Sequence, residues 1–141
     1  MKALRDAIET LLKGDTTLMA LVNDVHEMAA PEEAPYPFIV MIVEGGPDAD
    51  SMGGRLWTTC SVTLRAHTRQ QLARFTTHAE ADADTIEDAM ARVDVLLTEA
   101  LAVTGYTVKA LRRVSVTPDQ KDIVDNVIYR AVGGVWEVVI A

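Results

Sequence analysis

The chain of 141 residues holds a single cysteine, Cys60. One thiol excludes an internal disulfide and a thiolate metal cluster, and its place in an alternating apolar stretch marks it as a buried, inert side chain. Aromatic residues make up only 5% of the chain, so its core must be built from aliphatic side chains. No apolar run approaches the ~20 residues that a membrane-spanning helix needs. The opening Met1-Lys2-Ala3-Leu4-Arg5-Asp6 mixes charges with apolar residues, unlike a signal peptide. The expectation is a chain made and retained in the cytosol, with no membrane partner. Basic residues are also scarce. The net charge is −8 and the isoelectric point about 4.7, which argues against tight binding to a phosphate backbone.

Catalytic patterns are missing as well. His26-Glu27-Met28-Ala29-Ala30 opens like a zinc-protease helix, but Ala30 stands where the second imidazole should be. His26, His67 and His78 are scattered, without the clustered ligands of a zinc site. Asp48-Ala49-Asp50-Ser51-Met52-Gly53 begins like a calcium loop, yet Met52 takes the place of an oxygen ligand and Thr59 that of the bidentate Glu. Neither Gly45-Gly46 nor Gly53-Gly54 sits in a phosphate-binding context. Ser51, Ser61 and Ser115 lie outside any Gly-x-Ser-x-Gly elbow. These absences leave no residue on which to rest an enzymatic, metal or cofactor reading.

What the chain does contain is hydrophobic periodicity. Apolar residues form 49% of it and charged residues 24%, the balance of a globular domain with a real core. We expect one domain spanning residues 1–141. Leu4, Ala7, Ile8, Leu11 and Leu12 form a helical stripe. Gly14 then ends the helix, and Asp15 caps a second short turn with Leu18, Met19, Leu21 and Val22. Val25-His26-Glu27-Met28 reads as an edge strand before Pro31, Pro35 and Pro37. Phe38 to Val43 is apolar throughout, so both its faces are covered, or one is covered by a partner chain. Glu44 to Gly54, with four glycines, reads as a mobile loop. From Leu56 to Ala66 the chain alternates: Leu56, Cys60, Val62 and Leu64 face a core while Trp57, Thr59, Thr63, Arg65 and His67 face away. Thr68 to Ala81 reads as a long loop. Asp82 to Val103 is the strongest helix, with Ile86, Met90, Val93, Leu97 and Leu101 in register and Asp82 or Asp84 at its cap.

Glu80, Asp82, Asp84, Glu87, Asp88 and Asp94 then read as solvated acids complementing that helix's dipole. Tyr106–Thr117 and Val127–Ile140 are strands joined by the polar linker 118–122. Gly133-Gly134 signals a bulge or the close approach of another backbone. The order α-β-β-β-α-β-β gives an α+β fold. Its sheet is mostly antiparallel, with the N-terminal helix and one long central helix packed on one face.

Several of these pieces carry a resemblance: the helical opening from Leu4 to Val22, the Ala34-Pro35-Tyr36-Pro37-Phe38-Ile39-Val40 segment, the strand end Leu64-Arg65-Ala66-His67, the single long helix, Gly105-Tyr106, and Tyr129-Arg130-Ala131-Val132. In this order they resemble the tail-completion proteins of long-tailed bacteriophages and prophages, which include tail terminators and head-to-tail joining proteins. The resemblance implies a non-enzymatic virion protein without cofactor. Its subunits would form a ring, commonly a hexamer, at the head-proximal end of the tail tube, after assembly in the host cytoplasm. Its partners would be its own copies, the tail tube protein and a head–tail connector, with DNA passing through without specific binding. A two-sided apolar strand and a polar, β-rich strand face suit inter-subunit contacts. The expected contact residues are Asp48, Asp50 and Met52 of the glycine-rich segment with Trp57 and Arg65 of the polar face. The competing reading is a small α+β ligand-binding or regulatory domain.

Overall fold

A computed structural model describes the backbone of residues 2–51, 54–71 and 76–141, and side chains outside 46–56, 70–84, 118 and 120. The chain runs α1 (Lys2–Gly14), α2 (Thr16–Met19), β1 (Val25–Glu27), β2 (Phe38–Ser51), β3 (Gly54–Gln71), α3 (Thr76–Ala100), β4 (Val108–Val124) and β5 (Val127–Ile140). The described strands form one five-stranded sheet in the order β1-β2-β3-β5-β4. Only the β1–β2 pair is parallel. This is the α+β architecture expected from the periodicities.

The core follows directly from those periodicities. Leu4, Ile8 and Leu12 recur every fourth residue along one side of α1 and are fully buried. Ile39, Met41 and Val43 of β2, Cys60, Val62 and Leu64 of β3, and Trp136, Val138 and Ile140 of β5 share one face of the sheet by register and join the same buried cluster. From α3 come Ile86, Val93 and Leu97. All the helices therefore lie over one face.

Polar ties fix the helices on that face. Asp15 caps α2 by accepting from the Leu18 N–H at 2.9 Å. The same carboxylate takes a bidentate pair from Arg92 of α3, with Nε at 2.9 Å and a terminal nitrogen at 2.8 Å. The Arg92 hydrogen bond, reinforced by that backbone N–H, holds the Asp15 pKa down at about 2. Trp136, the largest fully buried side chain, donates from Nε1 to Asp94 of α3 at 2.8 Å. Arg130 of β5 joins Asp119 of β4 and Glu87 of α3. Asp94 and Glu87 are therefore structural partners, a correction to their reading as merely solvated acids.

Five boundaries differ from the sequence expectation. The segment from Glu44 to Ser51 is strand, paired with β3 through Ala49↔Trp57, Asp50↔Arg55 and Ser51↔Gly54, where glycine content suggested a loop. The glycines and Pro47 are absorbed by a register shift between Gly45 and Asp48, a bulge rather than a break. Thr68 to Gln71 continues β3, and α3 already begins at Thr76, so Asp82 and Asp84 lie inside the helix instead of capping it. That early start agrees with the helix-forming Ala79, Glu80, Ala81 and Ala83.

At its other end α3 stops at Ala100, which frees Leu101 and buried Val103 to reach the core before the turn at Gly105, whose φ is +81°. Lastly, β4 runs through the supposed linker 118–122. It takes up Pro118 and Asp119 in a register shift between Thr117 and Gln120, which an edge strand tolerates. The reversal occurs later, at Asp125 and Asn126, both with positive φ, the conformation of a two-residue hairpin.

Candidate assembly surface

The sheet face opposite the helices has no second layer among the described residues. Its central row crosses all five strands: His26 beside Val40, Val40 beside Arg65, and Gly133 beside both Arg65 and Thr117. Three members of this row bury a polar atom without a hydrogen-bond partner: Nε2 of His26, Nε of Arg65 and Oγ1 of Thr117. Buried polar atoms are nearly always satisfied, so three such atoms in one row set this part of the sheet apart. Gly133 shapes the row. A Cβ there would lie 2.0 Å from the Leu64 carbonyl oxygen and 2.9 Å from Cγ of Arg65, so the arginine stem rests directly on the glycine backbone. The close backbone approach expected at Gly133-Gly134 is thus made within the chain, by β3.

One row further along, aromatic and imidazole rings cover the face. Phe38 stacks on His67 with centroids 5.2 Å apart and meets His26 edge-on at 5.5 Å. Tyr36 touches Phe38 and Tyr129, and the Arg69 guanidinium lies 5.5 Å above the Tyr36 ring. Burial, aided by the charge of Arg65, lowers the His67 pKa. The Asn23 side-chain amide ties down the Pro-rich approach by donating to the Tyr36 carbonyl at 2.7 Å. Val40 and Ile42 are half-buried on this side of β2, while Ile39, Met41 and Val43 are buried on the other. The continuous apolar run therefore has one face in the core and one on the open sheet.

The expected contact residues divide between two places. Asp48 and Asp50 lie on β2 opposite Thr58 and Arg55, with their side chains outside the described set, and Met52 lies outside the described residues altogether. Trp57, opposite Ala49, is 43% exposed. Arg65 is half-buried at the centre of the open face. Trp57 and Arg65 share that face of β3 but stand about 26 Å apart along the strand, so they are two contact points, not one constellation. Sequence reasoning missed the orphaned His26 and Thr117 and the role of β4. Among the described residues, four of the eight large exposed hydrophobics, Val114, Val116, Ile123 and Val124, sit on β4, an edge strand. Alternation within β4 gave little sign of this, because its bulges break the period of two.

Other arrangements offer less. Among the described residues no three His, Cys, Asp or Glu side chains gather as metal ligands, and no helix is long and apolar enough to cross a membrane. An open hollow of about 540 Å³ between α1 and the end of α3 is lined mainly by Ala3, Ala7, Leu11 and Ala100. Its polar lining is limited to Asp6, Thr10 and Thr104.

Comparison with known proteins gives a family and a fold. Residues 6–124 match the family described as tail completion protein gp17. A chain from a structure titled "Virion of native gene transfer agent (GTA) particle" superposes with a TM-score of 0.55 at 20% identity, covering 99% of this chain and 95% of its own. A second solved chain gives a TM-score of 0.56 at 14% identity, with 97% and 94% covered. At such identities these two matches speak for the fold. No curated protein sequence matches the chain.

Proposed function

We propose a function that proceeds from membership: the chain belongs to the tail completion protein gp17 family, and is a structural protein of a phage-type tail. In our reading it acts as one non-enzymatic domain. Its copies close into a ring, a hexamer by the family resemblance, on the head-proximal end of the tail tube. The ring stops tube growth and presents a docking surface to the head–tail connector. Assembly takes place in the host cytoplasm, and DNA later passes through the ring without specific contacts, as the net charge of −8 suits.

The observation that carries this reading is the open sheet face, with Val40, Arg65 and Thr117 across its centre and no layer over it among the described residues. The face has no second layer among the described residues and carries exposed Trp57 and half-buried Arg65, so a neighbouring protein can cover it. We place contacts at Arg65, at Trp57 and on the strand segment bearing Asp48 and Asp50. An exposed tryptophan is a frequent energetic anchor in interfaces.

Light scattering on the purified protein, alone and with tail tubes, tests the proposal. The unmodified chain should form a closed ring. Arg65→Glu and Trp57→Ala should keep the monomer's circular dichroism and melting but lose the ring. Both variants assembling as well as the parent would remove this face from the interface.

A further inference from the structure

The open face is bordered by two strand edges that stand at the same height. On one side β1 covers β2 only at Ile39, Val40 and Met41, so from Ile42 onward the outer edge of β2 has no neighbour among the described residues. On the other side β4 is the terminal strand of the sheet. Register links the two edges level by level. Ile42 lies level with Ser115 through Thr63 and Val135, Glu44 with Arg112 through Ser61 and Glu137, and Asp48 with Val108 through Thr58 and Ile140.

A closed ring repeats one rotation without rise, so the surfaces that meet must lie at equal height on the two sides of the subunit. These do. The directions also fit: β3 is antiparallel to β2 and to β5, and β4 is antiparallel to β5. The β2 and β4 strands therefore run oppositely, and a junction between copies is an antiparallel pair.

Charge makes the match specific. From Val108 to Thr117, β4 carries Lys109, Arg112 and Arg113 and no acid. Lys109 and Arg113 are exposed, and neither has an ion-pair partner among the described residues. From Ile42 to Ser51, β2 carries Glu44, Asp48 and Asp50 and no base. Val114 and Val116, exposed at 47% and 67%, leave this stretch of β4 apolar as well as unpaired, a combination free monomers avoid.

We propose that copies of this chain join edge to edge. The acidic open edge of β2, from Ile42 to Asp50, pairs with the basic edge of β4, from Val108 to Ser115, on the next copy and extends the sheet around the ring. The pairing rests on the ring reading above. It adds a second copy as the occupant of these edges, beside the contacts placed above on the open face.

Charge exchange and cross-linking on the full chain test it. Lys109→Glu with Arg113→Glu, or Glu44→Lys with Asp48→Lys, should each raise the concentration needed for ring formation at least about tenfold. All four changes together should restore it. Separately, a mixture of Ile42→Cys and Ser115→Cys copies should give a disulfide-linked dimer that neither variant gives alone, Cys60 being buried. That measurement stands even if a charge variant folds poorly. Rings that form at the parental concentration in both charge variants, with no mixed disulfide, would overturn the edge pairing and leave the ring intact. An unmodified chain that stays monomeric, alone and with tail tubes, would overturn the ring and the pairing with it.

Discussion

Gly133 shows how one residue sets the shape of the open face. Any side chain there would strike the Leu64 carbonyl and lift the Arg65 stem off the sheet. Gly133→Ala should lower stability by about 2 kcal/mol or more, as an overpacked site does. Gly45→Ala, where an added methyl meets nothing within 4 Å, should change it little, and urea titration compares the two. Equal effects would mean that Arg65 does not lie where described. His67 adds a pH dependence. Burial, then the Arg65 charge, lowers its pKa, so the unfolded chain takes up the proton more readily than the folded one. Its contribution is fully present above the ordinary histidine pKa of about 6.5 and is lost as pH falls through the folded value. The urea midpoint should drop between pH 7.5 and 5.5 in the parent, and less so in His67→Gln; identical drops would exclude His67 as the cause. The sequence places Arg65 and His67 on one strand face by alternation alone. The orphaned His26 and Thr117 could not be read from it, because their common row depends on the register of strands far apart in the chain.

At the scale of elements, α3 and β3 make the principal core contact. Leu97 is 2% exposed within the cluster that also holds Cys60, Val62 and Leu64. Leu97→Ala should cost about 2–5 kcal/mol, against a much smaller effect for the exposed Thr98→Ala, both read from thermal melting. Comparable losses would refute the packing. This contact was legible from helical spacing against strand alternation. The extension of β2 and β3 beyond Glu44 was not, since glycine and proline signal a turn when their cross-strand partners are unknown, and here a bulge houses them. Residues 54–57 of β3 pair only with β2, because β5 joins at Thr58. A two-stranded ribbon is marginal by itself in water. Amide hydrogens of residues 48–51 and 54–57 should therefore exchange faster than those of Cys60 to Ala66 in the free subunit and slow on assembly. Unchanged exchange in the ring would place the ribbon outside the contacts.

At the scale of the whole molecule, a five-stranded sheet with helices on one side leaves an open face and two open edges, and each suits a contact with another protein. The family membership points the same way. The role proposed for this protein is to end tail growth and join tail to head. Its most direct test is the length of tails in particles assembled without it, measured by electron microscopy. Tubes of uncontrolled length without heads are expected, restored to uniform, head-bearing tails when the unmodified chain is supplied. Tails of normal length already joined to heads in its absence would contradict it.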